Sequence, residues 1–399
     1  MEQKKPVAVL VTSFLPYPGM GGSHMRAWDW LKTLSRDYRV HVIVTSDHSD
    51  ESLIDENYPA ERVWNAENIR LQKQKTIEKW FKWPFMVKWN HRHIRDLSRI
   101  DPDQPFSQEL MTSLREADLR HVLIYKLQNY EFGTWFAKTF PNVPVELDMD
   151  DYESRSRQSI GQAYLRMGKN REGKRLLQQA RQYHILETAI QGPYQCLYLA
   201  NQDDCRHISS QLAPRIAYRP NRITVPDTFP APPEGRTELL FIGTLHYLPN
   251  VEAIHFLINE LVPVLRRVLD THWHLTIAGR SPSDEIRQLC ENVPEITLMS
   301  DIETLVPLYE QAHIVLVPLF SGSGTKLKTL EAMAYRRTIV STSEGVRGLN
   351  LENGKHYLHA ETATGFASAI KKLASNTDQA SLVAQQGYEY CLRTFAIVS

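Results

Sequence analysis

The segment from Gly322 to Glu331 combines flexible, positively charged and acidic residues within a short stretch. Gly322 and Gly324 precede Lys326 and Lys328, and Glu331 follows where a helix is expected. Glycine adopts backbone angles closed to other residues and lets a ligand approach the main chain. The amides at the start of a helix attract anions, and the lysines add full positive charge. This segment therefore predicts a site for a phosphate or diphosphate.

Glu331 has a different chemical role from the lysines. It lies three residues after Lys328, on a neighbouring position of the expected helix. A carboxylate repels phosphate but accepts hydrogen bonds from a diol such as a ribose. The alternative is a glycine-containing turn followed by a Lys328–Glu331 pair on the surface, and the local residues leave both interpretations open.

A regular alternation of strands and helices must position this segment. Apolar runs such as IVLVPLF (314–320) are typical of parallel strands buried on both faces. From residue 237 onward such runs alternate with helical patterns, which predicts a doubly wound parallel sheet that binds ligands beyond the carboxyl ends of its strands. The opening run PVAVLVTSF begins a similar pattern, so the predicted fold class is α/β.

The chain is expected to have four parts. The proline-rich stretch 225–236 predicts a linker between two Rossmann-like domains, 1–224 and 237–380, and a final helix at 381–399 is expected to pack back toward the first domain. Further elements of the first domain are expected as strands at 121–126, 143–147, 195–200 and 215–220 and helices at 107–117 and 161–190.

Composition argues against several other classes of protein. The 399 residues suffice for two domains, and the net charge is zero with a pI of about 7.3, so no nucleic-acid partner is expected. Four scattered cysteines without metal-ligand spacing predict reduced thiols. The chain starts directly with a strand pattern and its apolar runs are too short to span a bilayer, so a cytoplasmic location is expected.

The stretch GSGTKLKTLEAMAYRRTIVSTSEGVRGL strongly resembles the donor-binding segment of retaining glycosyltransferases of family 4. Four more stretches agree in order: SFLPYPGMGGSHMRAWDWLKTLSRDYRVHVI, DMDDYESR, LLFIGTLHYLPNVEAIHFL and LTIAGRSP. The resemblance implies the GT-B fold, with two Rossmann-like domains facing each other across a cleft. It also implies retaining transfer of a sugar from a nucleotide-diphosphate-sugar to an acceptor hydroxyl in polysaccharide or glycoconjugate synthesis, with no cofactor and no metal.

The resemblance assigns roles to individual residues. Of the two acids that flank the glycine loop in the family, the second binds the ribose and corresponds to Glu331. The first contacts the donor sugar, and Ser323 occupies its place, so this contact must be made differently here. The residues implied in donor binding are Gly21, Gly22, Gly243, Gly322, Ser323, Gly324, Thr325 and Glu331.

Positive charge for the leaving diphosphate must come from residues other than those that the family usually uses. The family usually carries an arginine and a lysine after the first strand of the second domain, but the corresponding loop, GTLHYLPN, has neither. Candidates for the catalytic charge are Lys326, Lys328, Arg280 and Arg26. The alternatives are a solvated strand-end charge for Arg280 and an exposed helix charge for Arg26. The glycines before Arg26 do not form a dinucleotide fingerprint, because His24 stands where a glycine is required.

Two further segments have open interpretations. Asp148, Asp150 and Asp151 follow a strand and are expected on the acceptor side of the cleft or as a helix cap. Their DxD pattern suggests a metal-bound nucleotide in the other glycosyltransferase fold, which the two-domain layout disfavours. Residues 75–95 interleave tryptophans with basic residues, which suits either a helical hairpin that buries its aromatics or peripheral contact with the inner face of a membrane, near a lipid-linked acceptor.

Three other functions compete with glycosyl transfer. A nucleotide-sugar epimerase can share the fold but needs acids and a histidine around the sugar that the sequence does not identify. An NAD-dependent dehydrogenase is disfavoured because the dinucleotide fingerprint is missing. A non-catalytic nucleotide-sugar-binding or scaffold protein remains an alternative because of Ser323 and the absent arginine–lysine pair. The nucleotide base, the sugar, the linkage and the oligomeric state are not indicated.

Overall fold

The computed structural model describes residues 5–18, 21–46, 51–69, 97–98, 100–101, 103–190, 192–208, 215–269, 272–322 and 324–397. Ser323 and the aromatic–basic stretch 75–95 lie outside these residues, so their predicted roles stay predictions. The chain forms two compact units: the first takes in Met1–Ser154 and Gln179–Asn221, and the second takes in Arg155–Gln178 and Arg222–Ser399. Residues 155–178 therefore group with the second unit, whereas the boundary expected from sequence placed them in the first domain.

The described part of the first unit is built on a parallel seven-stranded sheet with the order β3-β2-β1-β4-β5-β6-β7. Its strands are β1 (Val7–Thr12), β2 (Arg39–Val44), β3 (Arg62–Trp64), β4 (Leu119–Tyr125), β5 (Val145–Asp150), β6 (Tyr194–Leu199) and β7 (Ile216–Tyr218). All of β1 is buried, because helices cover both faces of the sheet. The predicted parallel α/β architecture is confirmed.

The helices of the first half of the chain differ from expectation in one place. They are α1 (Gly22–Ser35), α2 (Gln108–Glu116), α3 (Tyr130–Thr139), α4 (Glu153–Arg166), α5 (Asn170–Ala189) and α6 (Gln202–His207). The single helix expected over 161–190 is instead two helices, α4 and α5. The break falls at Gly168, whose φ of +73° is the left-handed conformation that ends helices.

The described part of the second unit contains a parallel six-stranded sheet with the order β10-β9-β8-β11-β12-β13. Its strands are β8 (Thr237–Ile242), β9 (Trp273–Gly279), β10 (Ile296–Ser300), β11 (Ile314–Val317), β12 (Thr338–Ser341) and β13 (Leu358–His359). The chain runs outward from β8 to β10 and then returns to place β11 on the other side of β8. The crevice at the carboxyl ends of β8 and β11 is thus the topological switch point, where ligands bind in such sheets.

The helices of the second half alternate with its strands up to β13. They are α7 (Leu248–Phe256), α8 (Val262–Val268), α9 (Asp284–Glu291), α10 (Val306–Gln311), α11 (Leu327–Ala334), α12 (Ala363–Ser375) and α13 (Thr377–Thr394). Helix α12, which was not predicted, precedes the final helix. A π-helical turn, Leu257–Leu261, separates α7 from α8, although the pattern VEAIHFLINELVPVLRRVL (251–269) predicts one continuous helix. Pro263 follows that turn and lacks the amide that an uninterrupted helix needs.

The final helix and the proline-rich stretch both lie in the second unit. Helix α13 contacts α11, α12 and β12, and the expectation that it returns toward the first domain stays a prediction. Residues 225–236 contain no helix or strand. None of the helices in the described residues is long and apolar enough to cross a membrane.

Candidate functional site

Three loops meet at the carboxyl edge of the second sheet. They follow the neighbouring strands β8, β11 and β12, at residues 243–247, 318–326 and 342–346. The loop of 318–326 contains the glycines and lysines singled out from the sequence and leads directly into α11. The parallel sheet thus places the predicted phosphate-binding segment at the switch point.

Backbone conformation explains the two glycines of this loop. Gly322 and Gly324 have φ values of +115° and +71°, which residues other than glycine rarely adopt. The amide of Gly322 donates to Ser159 Oγ of α4 over 3.0 Å, and Ser321 Oγ donates to Glu252 Oε2 over 2.8 Å. The loop is therefore anchored on both α4 and α7, and the Gly322 amide is already engaged.

Lys326 belongs to a charged cluster that the sequence did not indicate. Its Nζ lies 2.8 Å from Glu344 Oε1, on the loop after β12, and its side chain is 4% exposed. Arg347 Nε contacts the same carboxylate at 3.1 Å, and Arg347 Nη2 donates to the carbonyl oxygen of Gly322 over 3.3 Å. Two cations thus converge on one carboxylate beside the glycine loop.

Lys328 lies on the opposite side of the switch point from Glu344, toward the β8 loop. Its Nζ donates to Asn250 Oδ1 over 2.6 Å and lies 4.4 Å from the ring centroid of Phe241. Burial, followed by repulsion from Lys326, lowers the pKa of Lys328 to about 7. At neutral pH this lysine can therefore take up a proton when an anion arrives.

Glu331 is held by a tyrosine from a different helix. Tyr309 Oη, on α10, donates to Glu331 Oε2 over 2.6 Å, and the Tyr309 ring stacks on Tyr335 with centroids 4.8 Å apart. Burial raises the pKa of Glu331, while the Tyr309 hydroxyl and Lys328 oppose the rise by favouring the carboxylate. A partly buried carboxylate with one oxygen already fixed is suited to accept hydrogen bonds from a ligand diol.

The remaining predicted residues of the second unit occupy the same edge of the sheet. Gly243 follows β8, and a Cβ there would lie 2.5 Å from Asn250 Nδ2, so only glycine allows Asn250 to reach Lys328. Thr325 precedes α11 and is partly buried, and Arg280 is exposed at the carboxyl end of β9. Arg280 therefore lies one strand away from the switch point, and its predicted contact with diphosphate stays a prediction.

Arg26 and Asp148 of the first unit form a buried structural pair. Arg26 Nε and Nη2 donate to Asp148 Oδ2 and Oδ1 over 2.8 and 3.0 Å, and both side chains are at most 1% exposed. Trp30 Nε1 and the amide of Asp150 also donate to Asp148. Both side chains are enclosed, so Arg26 is not the exposed helix charge that was its alternative, and the expected roles of Arg26 at the diphosphate and of Asp148 at the acceptor stay predictions.

The two other acids at the end of β5 differ from Asp148. Asp150 Oδ2 lies 2.9 Å from Lys126 Nζ, and both residues have positive φ values, +61° and +73°, although neither is glycine. Such strain at two neighbouring strand ends is typical of functional sites. Asp151 follows with one buried carboxylate oxygen that has no hydrogen bond within the described residues, and burial together with Asp150 raises its pKa to about 7.

The amino-terminal glycines lie at the start of α1. Gly21 is its N-cap residue with a φ of +114°, and Gly22 is its first residue. His24 follows in the first turn and stacks on Phe14 with centroids 4.0 Å apart. Burial and the nearby charge of Lys126 lower the pKa of His24, so the first unit presents a glycine turn, a neutral imidazole and Lys126 at one edge of its sheet.

Several residues at these edges were missed by the sequence analysis. They are Lys126 in the first unit and Asn250, Tyr309, Glu344 and Arg347 in the second. Glu344 and Arg347 are three residues apart, but every other pairing of these residues joins positions at least 18 residues apart, so local spacing did not indicate them. Among the described residues, no group of three or more histidine, cysteine, aspartate or glutamate side chains is arranged to hold a metal ion.

The second unit matches a known family in sequence. Residues 236–376 match the family model described as Glycosyl transferases group 1. The chain is also 28% identical over 160 residues to an uncharacterized 44.6 kDa protein in the cps region of Klebsiella pneumoniae. That match covers 38% of this chain and only 41% of the relative.

Solved structures resemble the chain over nearly its whole length. Sucrose-phosphate synthase from Thermosynechococcus elongatus is 14% identical with a TM-score of 0.66, and the match covers 98% of this chain and 95% of that one. Anabaena HepE in complex with UDP and glucose is 11% identical with a TM-score of 0.60, covering 97% and 95%. WaaG, a glycosyltransferase of lipopolysaccharide biosynthesis, is 15% identical with a TM-score of 0.57, covering 96% and 95%.

These likenesses show the fold alone, because sequence identities of 11–15% are too low to carry a function. The chain has the α/β architecture of the GT-B glycosyltransferases, as the sequence predicted. The matched family domain of residues 236–376 contains the glycine loop, both lysines and Glu331. The comparisons thus show a GT-B fold for the chain and a group 1 glycosyl transferase match for residues 236–376.

Proposed function

We propose that this protein is a retaining glycosyltransferase of family 4 that moves a sugar from a nucleotide-diphosphate-sugar to an acceptor hydroxyl. The observation that carries the proposal is the grouping of Glu331, Lys326 and Lys328 on one loop-helix junction at the switch point of the second sheet. The acid suits a ribose and the lysines suit a diphosphate. The same segment lies inside the matched glycosyltransferase domain.

Electrostatics of the second unit provide the catalytic contribution. Negative charge develops on the leaving diphosphate as the glycosidic bond breaks, and fixed positive charge stabilises it. Lys326 and Lys328 supply that charge, so the proposal requires neither a metal ion nor a cofactor. Lys328 becomes fully charged only when an anion raises its pKa from about 7.

The acceptor side is proposed to involve the first unit. Lys126, Asp150 and Asp151 offer donors and acceptors for sugar hydroxyls at the carboxyl ends of β4 and β5. A glycan or lipid-linked acceptor in polysaccharide synthesis agrees with the relatives, since one is a protein in a cps region and another takes part in lipopolysaccharide biosynthesis. Peripheral contact with the inner face of a membrane through 75–95 would then bring the enzyme to a lipid-linked acceptor.

Binding and product analysis test this function. UDP is the first nucleotide to try, because it is bound in the HepE structure, with GDP, dTDP and ADP beside it in calorimetric titrations of the full chain. We expect one nucleoside diphosphate to bind, and to bind more tightly than its monophosphate. The corresponding nucleotide-α-sugar should be slowly hydrolysed, with the α-anomer appearing first by proton NMR because configuration is retained.

Other outcomes distinguish the competing functions. Binding of the nucleotide-sugar without any turnover, with or without added acceptor glycans, would favour the scaffold alternative. Release of an epimerised sugar nucleotide would favour an epimerase. If the folded protein binds none of the diphosphates, the glycosyltransferase proposal is wrong.

Lys328 provides a pH-dependent prediction about the same site. At pH 8 its pKa of about 7 leaves it mostly neutral, and a bound diphosphate should raise that pKa and draw in nearly one proton. The binding enthalpy of UDP at pH 8 should therefore change with the ionisation enthalpy of the buffer, with a slope corresponding to proton uptake. Lys328→Met should abolish the slope, whereas Lys355→Met, at an exposed lysine, should retain it. An unchanged slope in Lys328→Met would assign the proton to another group.

A further inference from the structure

The charged cluster beside the glycine loop contains an acid and an arginine that the proposed function has not used. Glu344 Oε1 contacts Lys326 Nζ at 2.8 Å and Arg347 Nε at 3.1 Å. The two cations come from different elements, since Lys326 is the N-cap of α11 and Arg347 follows the short turn Glu344–Val346 after β12. A pair of convergent cations is the usual arrangement for binding an oxyanion with more than one charged oxygen.

Exposure indicates how a ligand could reach this pair. The side chain of Lys326 is 4% exposed, whereas those of Glu344 and Arg347 are 22% and 21% exposed. The carboxylate of Glu344 thus lies on the more open side of the lysine. Because Glu344 is more exposed than Lys326, rotation of that one side chain toward solvent would remove the carboxylate from both cations without any change in the fold.

Charge determines what the cluster can accept. With Glu344 in place, Lys326 and Arg347 are half neutralised, and an incoming phosphate is repelled by the carboxylate. With Glu344 turned away, two positive charges remain for two phosphate oxygens. Arg347 is held near the loop in either case, because its Nη2 donates to the carbonyl oxygen of Gly322.

We propose that Lys326 and Arg347 form a two-cation clamp for the diphosphate of the donor, and that Glu344 occupies this clamp until the diphosphate displaces it. The inference rests on the proposed nucleotide-diphosphate function and adds Arg347 as a binding residue. Glu344 acts as an internal competitor, and its carboxylate holds the two cations together and oriented in the unliganded chain.

The direction in which one substitution changes phosphate affinity distinguishes competition by Glu344 from other roles of this side chain. If the acid competes with phosphate, Glu344→Gln should tighten binding of inorganic pyrophosphate and of UDP by about three- to tenfold, because one repulsive charge is removed. If the acid is a structural bridge or itself contacts the ligand, the same substitution should weaken binding or leave it unchanged. Glu352→Gln is the matched control, since it makes the same change in net charge at an exposed acid paired with Lys355.

The experiment is a calorimetric titration of the full-length wild type and variants with pyrophosphate and with UDP at one ionic strength. We expect Glu344→Gln to bind both probes more tightly, Glu352→Gln to match the wild type, and Arg347→Gln to bind both about tenfold more weakly. In the double variant Glu344→Gln/Arg347→Gln the gain from removing the acid should shrink, because one of the two cations it masks is gone.

The results separate this inference from the function on which it rests. Wild-type binding of UDP together with unchanged or weaker binding by Glu344→Gln overturns the clamp and leaves the glycosyltransferase proposal intact. Unchanged binding by Arg347→Gln also overturns it. Failure of the folded wild type and of every variant to bind pyrophosphate or any of UDP, GDP, dTDP and ADP overturns both proposals together.

Discussion

Glu331→Ala is expected to weaken UDP binding by about 10- to 100-fold, because hydrogen bonds to a charged group contribute about 1.5–3 kcal/mol each. The carboxylate is held by Tyr309 with one oxygen, which leaves the other available for the ribose diol. Pyrophosphate has no ribose, so its affinity should be the same in Glu331→Ala as in the wild type. Calorimetric titration of the wild type and of Glu331→Ala with UDP and with pyrophosphate measures the difference directly.

Two controls make the Glu331 result specific. Glu291→Ala removes an exposed acid from α9 of the same unit and should leave both affinities unchanged. Tyr309→Phe keeps the carboxylate of Glu331 but removes its hydroxyl donor, so UDP binding should weaken less than in Glu331→Ala. Loss of that donor also raises the pKa of Glu331, so on acidification the variant should lose UDP binding at a higher pH than the wild type does. A parallel loss of UDP and pyrophosphate affinity in Glu331→Ala would mean that the acid supports the loop instead of binding ribose.

Asp148→Ala should produce the largest loss of stability, confined to the first unit. Removal of this carboxylate takes away the nearer, doubly hydrogen-bonded partner of the buried Arg26 guanidinium and leaves only Asp150 at 3.6 Å; loss of a buried partner costs about 3–5 kcal/mol in comparable sites. Hydrogen exchange measured by mass spectrometry should show the amides of β5 exchanging about 100-fold faster or more, since each 1.4 kcal/mol corresponds to about a tenfold change. Peptides from β8 and β11 should be unchanged.

Matched variants distinguish loss of the ion pair from loss of a side chain. Asp118→Ala removes an exposed acid paired with Arg120 and should cost about 0–1 kcal/mol. The double variant Arg26→Met/Asp148→Leu replaces both charges with apolar groups and should recover much of the protection lost in Asp148→Ala. Equal exchange in Asp148→Ala and the wild type would show that the pair does not hold β5 in place.

Local sequence patterns were sufficient for most of the fold. Continuous apolar runs predicted most strands of both sheets to within a few residues, because strands buried on both faces need no polar positions, but the short edge strands β3 and β13 were not predicted. The two deviations among helices occur at Gly168 and Pro263. Gly168 takes the left-handed conformation that ends a helix, and Pro263 lacks the amide that a continuous helix needs. Neither effect changes the hydrophobic periodicity from which the helices were predicted.

The candidate site was only partly predictable. Gly322, Lys326, Lys328 and Glu331 lie on consecutive turns of one loop-helix junction, so their proximity followed from spacing alone. Arg26 was expected at the ligand or as an exposed helix charge, and the structure shows it in a buried pair with a residue 122 positions away. No local spacing specifies such a pair.

The sequence by itself determined the alternation of strands and helices, the position of the glycine loop between β11 and α11, and the chemistry available there. Only the tertiary structure decided which charges are enclosed and which are masked: Asp148 by Arg26, Glu331 by Tyr309, and Lys326 by Glu344. The physical reason is that strand and helix periodicities act over a few residues, whereas desolvation and ion pairing depend on neighbours that parallel crossovers bring together from distant parts of the chain.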